Sequence, residues 1–152
     1  MMDLHTLLPE LVPKAVAWAE VQSERILRCG VSLTPHGIAL ARGVGVYRPE
    51  LVRVELVPQL PLPDDPLLQQ VALAAGLLGP DMVGLTLGYG IFIVQGHAND
   101  RLVSHELRHV HQYETFGSIS GFMPVYLAQI AEFGYEAAPL ERDAREHEAH
   151  AV

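Results

Sequence analysis

The sequence predicts an α+β fold, a small mixed sheet packed on helices, and three observations carry that reading. Residues 52–57 alternate apolar and polar side chains, as a half-buried strand does. Residues 82–95 are rich in β-branched and aromatic side chains, with Gly88 and Gly90 among them, so they read as one kinked strand or a tight hairpin. The remaining segments carry helical spacing and cap residues, and most follow the strands instead of alternating with them. With 152 residues the chain suits one domain, residues 1–152.

A first helix is expected over 9–29, with Leu11, Ala15, Trp18 and Ala19 at helical spacing and Gly30 as its stop. Thr34 followed by Pro35 is an N-cap with proline at the first helical position, opening a short helix that ends near Gly43. In the strand at 52–57, Val52, Val54 and Leu56 point one way, Arg53 and Glu55 the other. The proline-rich stretch 58–66 reads as a rigid connector rather than a proline-rich ligand, because it is short and leads into Asp65-Pro66, another helix start. That helix is expected over 66–78. Asn99-Asp100 then caps a helix over 101–114, and Gly117 and Gly121 bracket a break. A further helix follows to about Phe133, and Pro139 opens the last one.

Composition removes several classes of function. Hydrophobic residues make up 49% and charged ones only 18%, which excludes a disordered chain. Ten basic against eighteen acidic side chains, with no basic run, leave no positive stripe for a nucleic acid. A lone cysteine, Cys29, excludes an intrachain disulfide and a cysteine-based zinc cluster, and at a helix end without a placed base it reads as an inert thiol. Residues 1–10 lack a basic segment ahead of an apolar one, so no signal peptide is expected. The most apolar stretch, 71–94, is interrupted by Pro80, Asp81 and five glycines. Its longest charge-free piece falls short of the roughly 18–20 residues of a membrane span. A soluble, cytoplasmic or similar, protein is therefore expected. Its apolar excess fills a core or reserves a surface for a substrate or protein partner.

The chemistry concentrates in the helix at 101–114, where His105-Glu106-Leu107-Arg108-His109 forms an H-E-x-x-H pattern. Histidines four apart share one helix face, so their ring nitrogens can converge on one ion. The glutamate between them then lies beside a metal-held water that it can deprotonate. On a helical wheel His109 and Phe116 fall near His105, while Val103, Leu107 and Val110 form the core seam. Arg101, Ser104, Arg108 and His111 fill the arc expected to face solvent. The motif histidines thus sit at the edge of the buried face, where a metal-binding helix needs them, and His111 reads as solvated and not a ligand. A catalytic zinc usually takes three protein ligands plus water. The residues alone leave Glu132, Glu136, Glu141, Asp143, Glu146 and His147 open as the third, with Glu141 favoured because Pro139 places it in the first turn of a helix that can pack on the motif helix.

The run from Ser104 to Tyr113 resembles the active-site helix of zincin metallopeptidases, and Pro139-Leu140-Glu141-Arg142-Asp143-Ala144 resembles the helix that supplies the third ligand in the gluzincin branch. The likeness is to the very small bacterial gluzincin-like domains, whose order is a strand, the H-E-x-x-H helix and a Pro-Leu-Glu segment. It spans roughly residues 83–149 and is loose over the first 80. The metzincin branch is excluded, because it needs Gly at 112 and His at 115, where this chain has Gln112 and Thr115. The resemblance implies zinc bound by His105, His109 and Glu141, Glu106 as general base, and a peptide or protein substrate. It also implies that the stretch 85–93 includes an edge strand on which an extended peptide adds. One departure stands out: Arg145 occupies the place of the acid that supports a motif histidine in thermolysin-like spacing. Tyr113, Tyr126, Tyr135 and His147 are the candidate oxyanion donors. Glu146, His147, Glu148 and His150 read as a frayed acidic end, or, if ordered, as a tail folded over the zinc. Two further functions stay open: an inactive zinc-stabilised scaffold or binding protein, suggested by the small size, and a metal-free helical core protein.

Overall fold

The computed structural model describes residues 3–150 and has six helices around a four-stranded mixed sheet, so the α+β expectation holds. Helix α1 (Leu4–Cys29) begins five residues earlier than its apolar spacing suggests. Asp3 caps it by accepting from the His5 amide, and the helix runs on through Pro9 and Pro13. Proline costs a helical hydrogen bond, but Leu11, Ala15, Ala19 and Ile26 are buried along one stripe and hold the helix in place. A two-residue strand β1 (Val31–Ser32) leads to α2 (Pro35–Gly43), capped by Thr34 on the Gly37 amide as expected. After a 3-10 turn at Pro49–Leu51 come β2 (Arg53–Val57) and then α3 (Pro66–Ala74), which Asp65 caps on the Leu68 amide. Helix α3 stops four residues short of the expected end. Gly76 turns the chain at a φ of +74°, and the amides of Leu77 and Leu78 both close back on the Ala72 carbonyl.

Residues 82–95 form the hairpin of the two alternatives, β3 (Gly84–Leu87) and β4 (Gly90–Val94), turning through Gly88 at a φ of +69°. The strand order is β1-β2-β4-β3. Strand β4 is parallel to β2 (Arg53 opposite Gly90) and antiparallel to β3 (Leu85 opposite Phe92), which leaves β3 at an edge. Both faces of the sheet are covered. One apolar cluster joins α1, α3 and α5 to Leu87 and Phe92, and the other joins α2 and α4 to Val52, Ile91 and Ile93. The half-buried reading of β2 is corrected accordingly: Val57 is buried on the α1 side, while Leu56, expected inward, is 52% exposed.

Helix α4 (Asp100–Phe116), capped by Asn99 on the Leu102 amide, ends at Gly117 in the left-handed region. Helix α5 (Ile119–Ala137) starts on Ser118 and extends past Phe133 to a kink at Gly134, whose φ is 77°. Gly121 thus lies inside α5's first turn, where a Cβ would sit 2.5 Å from the Phe116 carbonyl oxygen. Helix α6 (Pro139–Glu146) has no side-chain cap of its own, and Gln129 of α5 accepts from the Leu140 amide instead. No described helix is long and apolar enough to cross a membrane.

Candidate metal centre

Helices α4 and α6 bring His105, His109 and Glu141 together, all buried, with one ligand atom from each inside a 4.8 Å cluster. The Nε2 atoms of His105 and His109 lie 3.2 and 3.3 Å from Glu141 Oε1, and His109 Nε2 is 3.2 Å from Oε2. Ligands held at 2.0–2.2 Å by a tetrahedral ion are separated by about 3.3 Å, so the spacing suits one. Asp143, Glu146, Glu132, Glu136 and His147 are outside the cluster. Asp143 turns to Arg108 and Gln112, and His147 Nδ1 faces the Asp143 carbonyl.

Hydrogen bonding on the far side of each ring decides which nitrogen is free. His105 Nδ1 faces Glu148 Oε2 at 2.8 Å, and His109 Nδ1 faces Gln112 Oε1 at 2.8 Å. The Gln112 amide cannot be reversed, because its Nε2 donates to two acceptors, the Leu140 carbonyl and Asp143 Oδ2. When neutral, both histidines therefore carry their proton on Nδ1 and aim an Nε2 lone pair at a carboxylate. Three acceptors converging in a buried space require something positive between them, protons or a metal ion. The donor set of two imidazoles and one carboxylate fits a metal ion of the zinc class.

Charge follows the same logic. Burial alone would push the Glu141 carboxyl up, but the two histidines and the Tyr126 hydroxyl, which donates to Oε2 at 2.6 Å, hold it well below the usual carboxylate range. Burial pulls His109 down, yet the Glu141 charge and hydrogen bond, with Glu106 nearby, push it up to about 9. His105 is raised by the same carboxylates against its own burial. In metal-free protein the folded state thus favours protonated His109. That stability is fully present below the ordinary imidazole value near 6.5 and is lost as pH rises through 9. Urea unfolding of chelator-treated protein should show stability falling between about pH 6.5 and 9.5, and Glu141→Gln should flatten the fall. Metal binding needs the imidazoles deprotonated, so the affinity for an added metal ion should rise across the same window. An affinity independent of pH would mean that the metal is held by groups other than these histidines.

Glu106 lies beside this cluster and is only 5% exposed. Its Oε1 accepts from the Thr86 hydroxyl at 2.7 Å, which leaves Oε2 as the oxygen free to take a proton. Strand β3 passes so close that a Cβ at position 84 would lie 2.9 Å from Oε2, hence Gly84. The Val94 amide bonds the Val83 carbonyl, so the alternation of an antiparallel pair turns the backbone groups of Gly84 and Thr86 away from β4, toward the open edge. A cavity lies along this edge, lined by His105, Glu106, His109 and Glu141 at its polar end.

Several readings of individual residues change. His111 lies outside the ligand cluster, as expected, but it is half-buried and not free in solvent: Nδ1 bonds the Gly45 carbonyl at 2.7 Å and the ring packs on Tyr47. Ser104, assigned to the solvent arc, is 1% exposed and accepts from the Ala149 amide. Residues 146–149 are neither frayed nor folded over the ligand atoms. Glu148 bridges Arg101 and the outer nitrogen of His105, and so fills the supporting role that Arg145 leaves vacant. The supporting roles of Glu148, Gln112, Thr86 and Gly84 were missed, and of these only Gln112, one turn after His109, left a local signal. Among the oxyanion candidates, Tyr126 is committed to Glu141, Tyr113 is buried against Phe122, and His147 faces away. Tyr135 is half-buried on the cavity as well. Cys29 is exposed. Compared with protein-family models, curated proteins and solved structures, the chain matches none, so the functional reading rests on the site itself.

Proposed function

We propose that the protein is a zinc-dependent hydrolase, a metallopeptidase of the gluzincin type. The observation that carries this reading is a buried His105–His109–Glu141 set with a second carboxylate, Glu106, beside it and engaged elsewhere by only one oxygen. His105, His109 and Glu141 would hold the metal. When bound, zinc lowers the pKa of a water toward about 7 and polarises a carbonyl. Glu106 accepts the proton of the attacking water at Oε2 and returns it to the leaving nitrogen, while Thr86 fixes its other oxygen. Gln112 and Glu148 keep the two imidazoles turned inward. Tyr135 is the hydroxyl best placed to donate to an oxyanion. The free edge of β3 supports an extended peptide as substrate, because its outward amides and carbonyls are unpaired ladder groups.

Protein purified without chelator should contain one zinc per chain, with X-ray absorption showing two imidazoles and two oxygen donors, one of them exchangeable water. It should cleave unfolded casein, lose that activity with a chelator and regain it with zinc. Four protein ligands and no exchangeable water would instead make the chain a zinc-stabilised scaffold, and protein free of zinc would overturn both readings.

A further inference from the structure

Helix α5 grips Glu141 from one side. Two of its residues, Tyr126 and Gln129, are three apart in sequence and so share a helix face. Gln129 Oε1 accepts from the Leu140 amide at 2.9 Å, which fixes the backbone one residue before Glu141. The Tyr126 hydroxyl donates to Glu141 Oε2 at 2.6 Å, which fixes the carboxylate itself. The Tyr126 ring is held in turn: Phe122 stacks on it at 5.3 Å and 23°, and His109 meets it edge to face at 6.4 Å and 84°.

The two oxygens of Glu141 are therefore not equivalent. Oε1 lies between both imidazoles, 3.2 Å from His105 Nε2 and 3.3 Å from His109 Nε2. Oε2 faces His109 Nε2 at 3.2 Å and gives a lone pair to the tyrosine. The terminal torsion of a glutamate is broad and roughly twofold, so the side chain by itself does not choose which oxygen it presents. A short hydrogen bond to an ionised carboxylate is among the stronger ones, and it draws charge from the oxygen that accepts it. The asymmetry decides what kind of site three ligands make. A carboxylate bound through one oxygen leaves a tetrahedral ion one free position, as catalytic zinc sites have, and one bound through both fills it.

We propose that Tyr126 is a positioning residue that restricts Glu141 to one metal-binding oxygen, Oε1, and so keeps a coordination position open. The assignment rests on the reading that the cluster holds zinc. It adds the group on which an open site, as opposed to a closed one, depends.

Zinc is d¹⁰ and has no visible spectrum of its own, so the test loads cobalt(II) in its place. The visible bands are then compared with X-ray absorption of the zinc protein. Wild-type protein should show the intense bands of a four-coordinate ion and a single carboxylate oxygen at bonding distance. Tyr126→Phe removes only the hydroxyl. In that variant the cobalt bands should weaken several-fold, and zinc should gain an oxygen neighbour as Oε2 joins Oε1. Gln129→Ala loosens the same helix contact without touching the carboxylate, so it should lower the urea midpoint and keep the wild-type spectrum. An unchanged spectrum in Tyr126→Phe, or the same change in Gln129→Ala, overturns the role of Tyr126 and leaves the zinc reading standing. If Tyr126→Phe does not fold, the wild-type protein decides: one carboxylate oxygen at bonding distance supports the proposal, and two overturn it. Wild-type protein that takes up neither cobalt nor zinc overturns the zinc reading and the assignment together.

Discussion

Glu106→Gln should abolish turnover and spare the metal. A general base contributes about 10²- to 10⁴-fold, so kcat for peptide hydrolysis should fall about 10³-fold, with zinc content unchanged. The substitution is conservative where it matters for folding. The amide oxygen it introduces can still accept from the Thr86 hydroxyl, which bonds both the Glu106 side chain and its backbone carbonyl. The shape is also nearly preserved, which is important because Gly84 leaves no slack against this side chain. Steady-state kinetics paired with metal analysis checks the expectation. Full activity in the variant would remove Glu106 from the mechanism. Loss of zinc along with activity would show instead that the residue shapes the metal set, and kcat could not then be read as loss of a base.

What sequence reading captured and missed divides along a physical line. Local chemistry was legible. The caps at Thr34, Asp65 and Asn99 each accept from the amide three residues on, and the four-residue spacing of His105 and His109 put both rings on one face. Pro139 opened α6 and so set Glu141 in its first turn. Misreadings arose where polar residues are buried or half-buried by partners distant in sequence. Helical periodicity assigned Ser104, Arg108 and His111 to solvent because they are polar. In the fold, Ser104 meets the Ala149 amide, Arg108 pairs with Asp143 and bonds the Val44 carbonyl, and His111 bonds Gly45. A wheel separates polar from apolar, not wet from dry, and a satisfied buried polar group looks the same as a surface one. Leu56 is the converse case, an apolar residue on the covered side of β2 that α2 and α4 do not reach. The support of His105 shows the same limit, since Glu148 lies 43 positions away and no spacing rule links them.

Glu141→Ala should produce the other large effect, on the metal and on the fold together. Glu141 is the only anionic member of the ligand set and is 3% exposed. Removing it leaves two imidazoles where a stable site needs three or four ligands. Zinc affinity by chelator competition should therefore fall by more than about 100-fold, beyond the roughly 10- to 100-fold typical of supporting partners such as Gln112 or Glu148. The metal-free fold should also weaken by about 3 kcal/mol in urea, the low end for breaking a buried ion pair, because His105 and His109 can release their protons once the carboxylate is gone. Tyr126 loses its acceptor as well. Glu141→Gln separates the two effects. It keeps the volume and an oxygen for Tyr126, so most of the stability should return near neutral pH, while zinc affinity should not. Wild-type affinity in the Gln variant would show that Glu141 is a packing group. It would move the third ligand away from Glu132 and Glu136, which point to solvent, and toward the segment that carries Glu148.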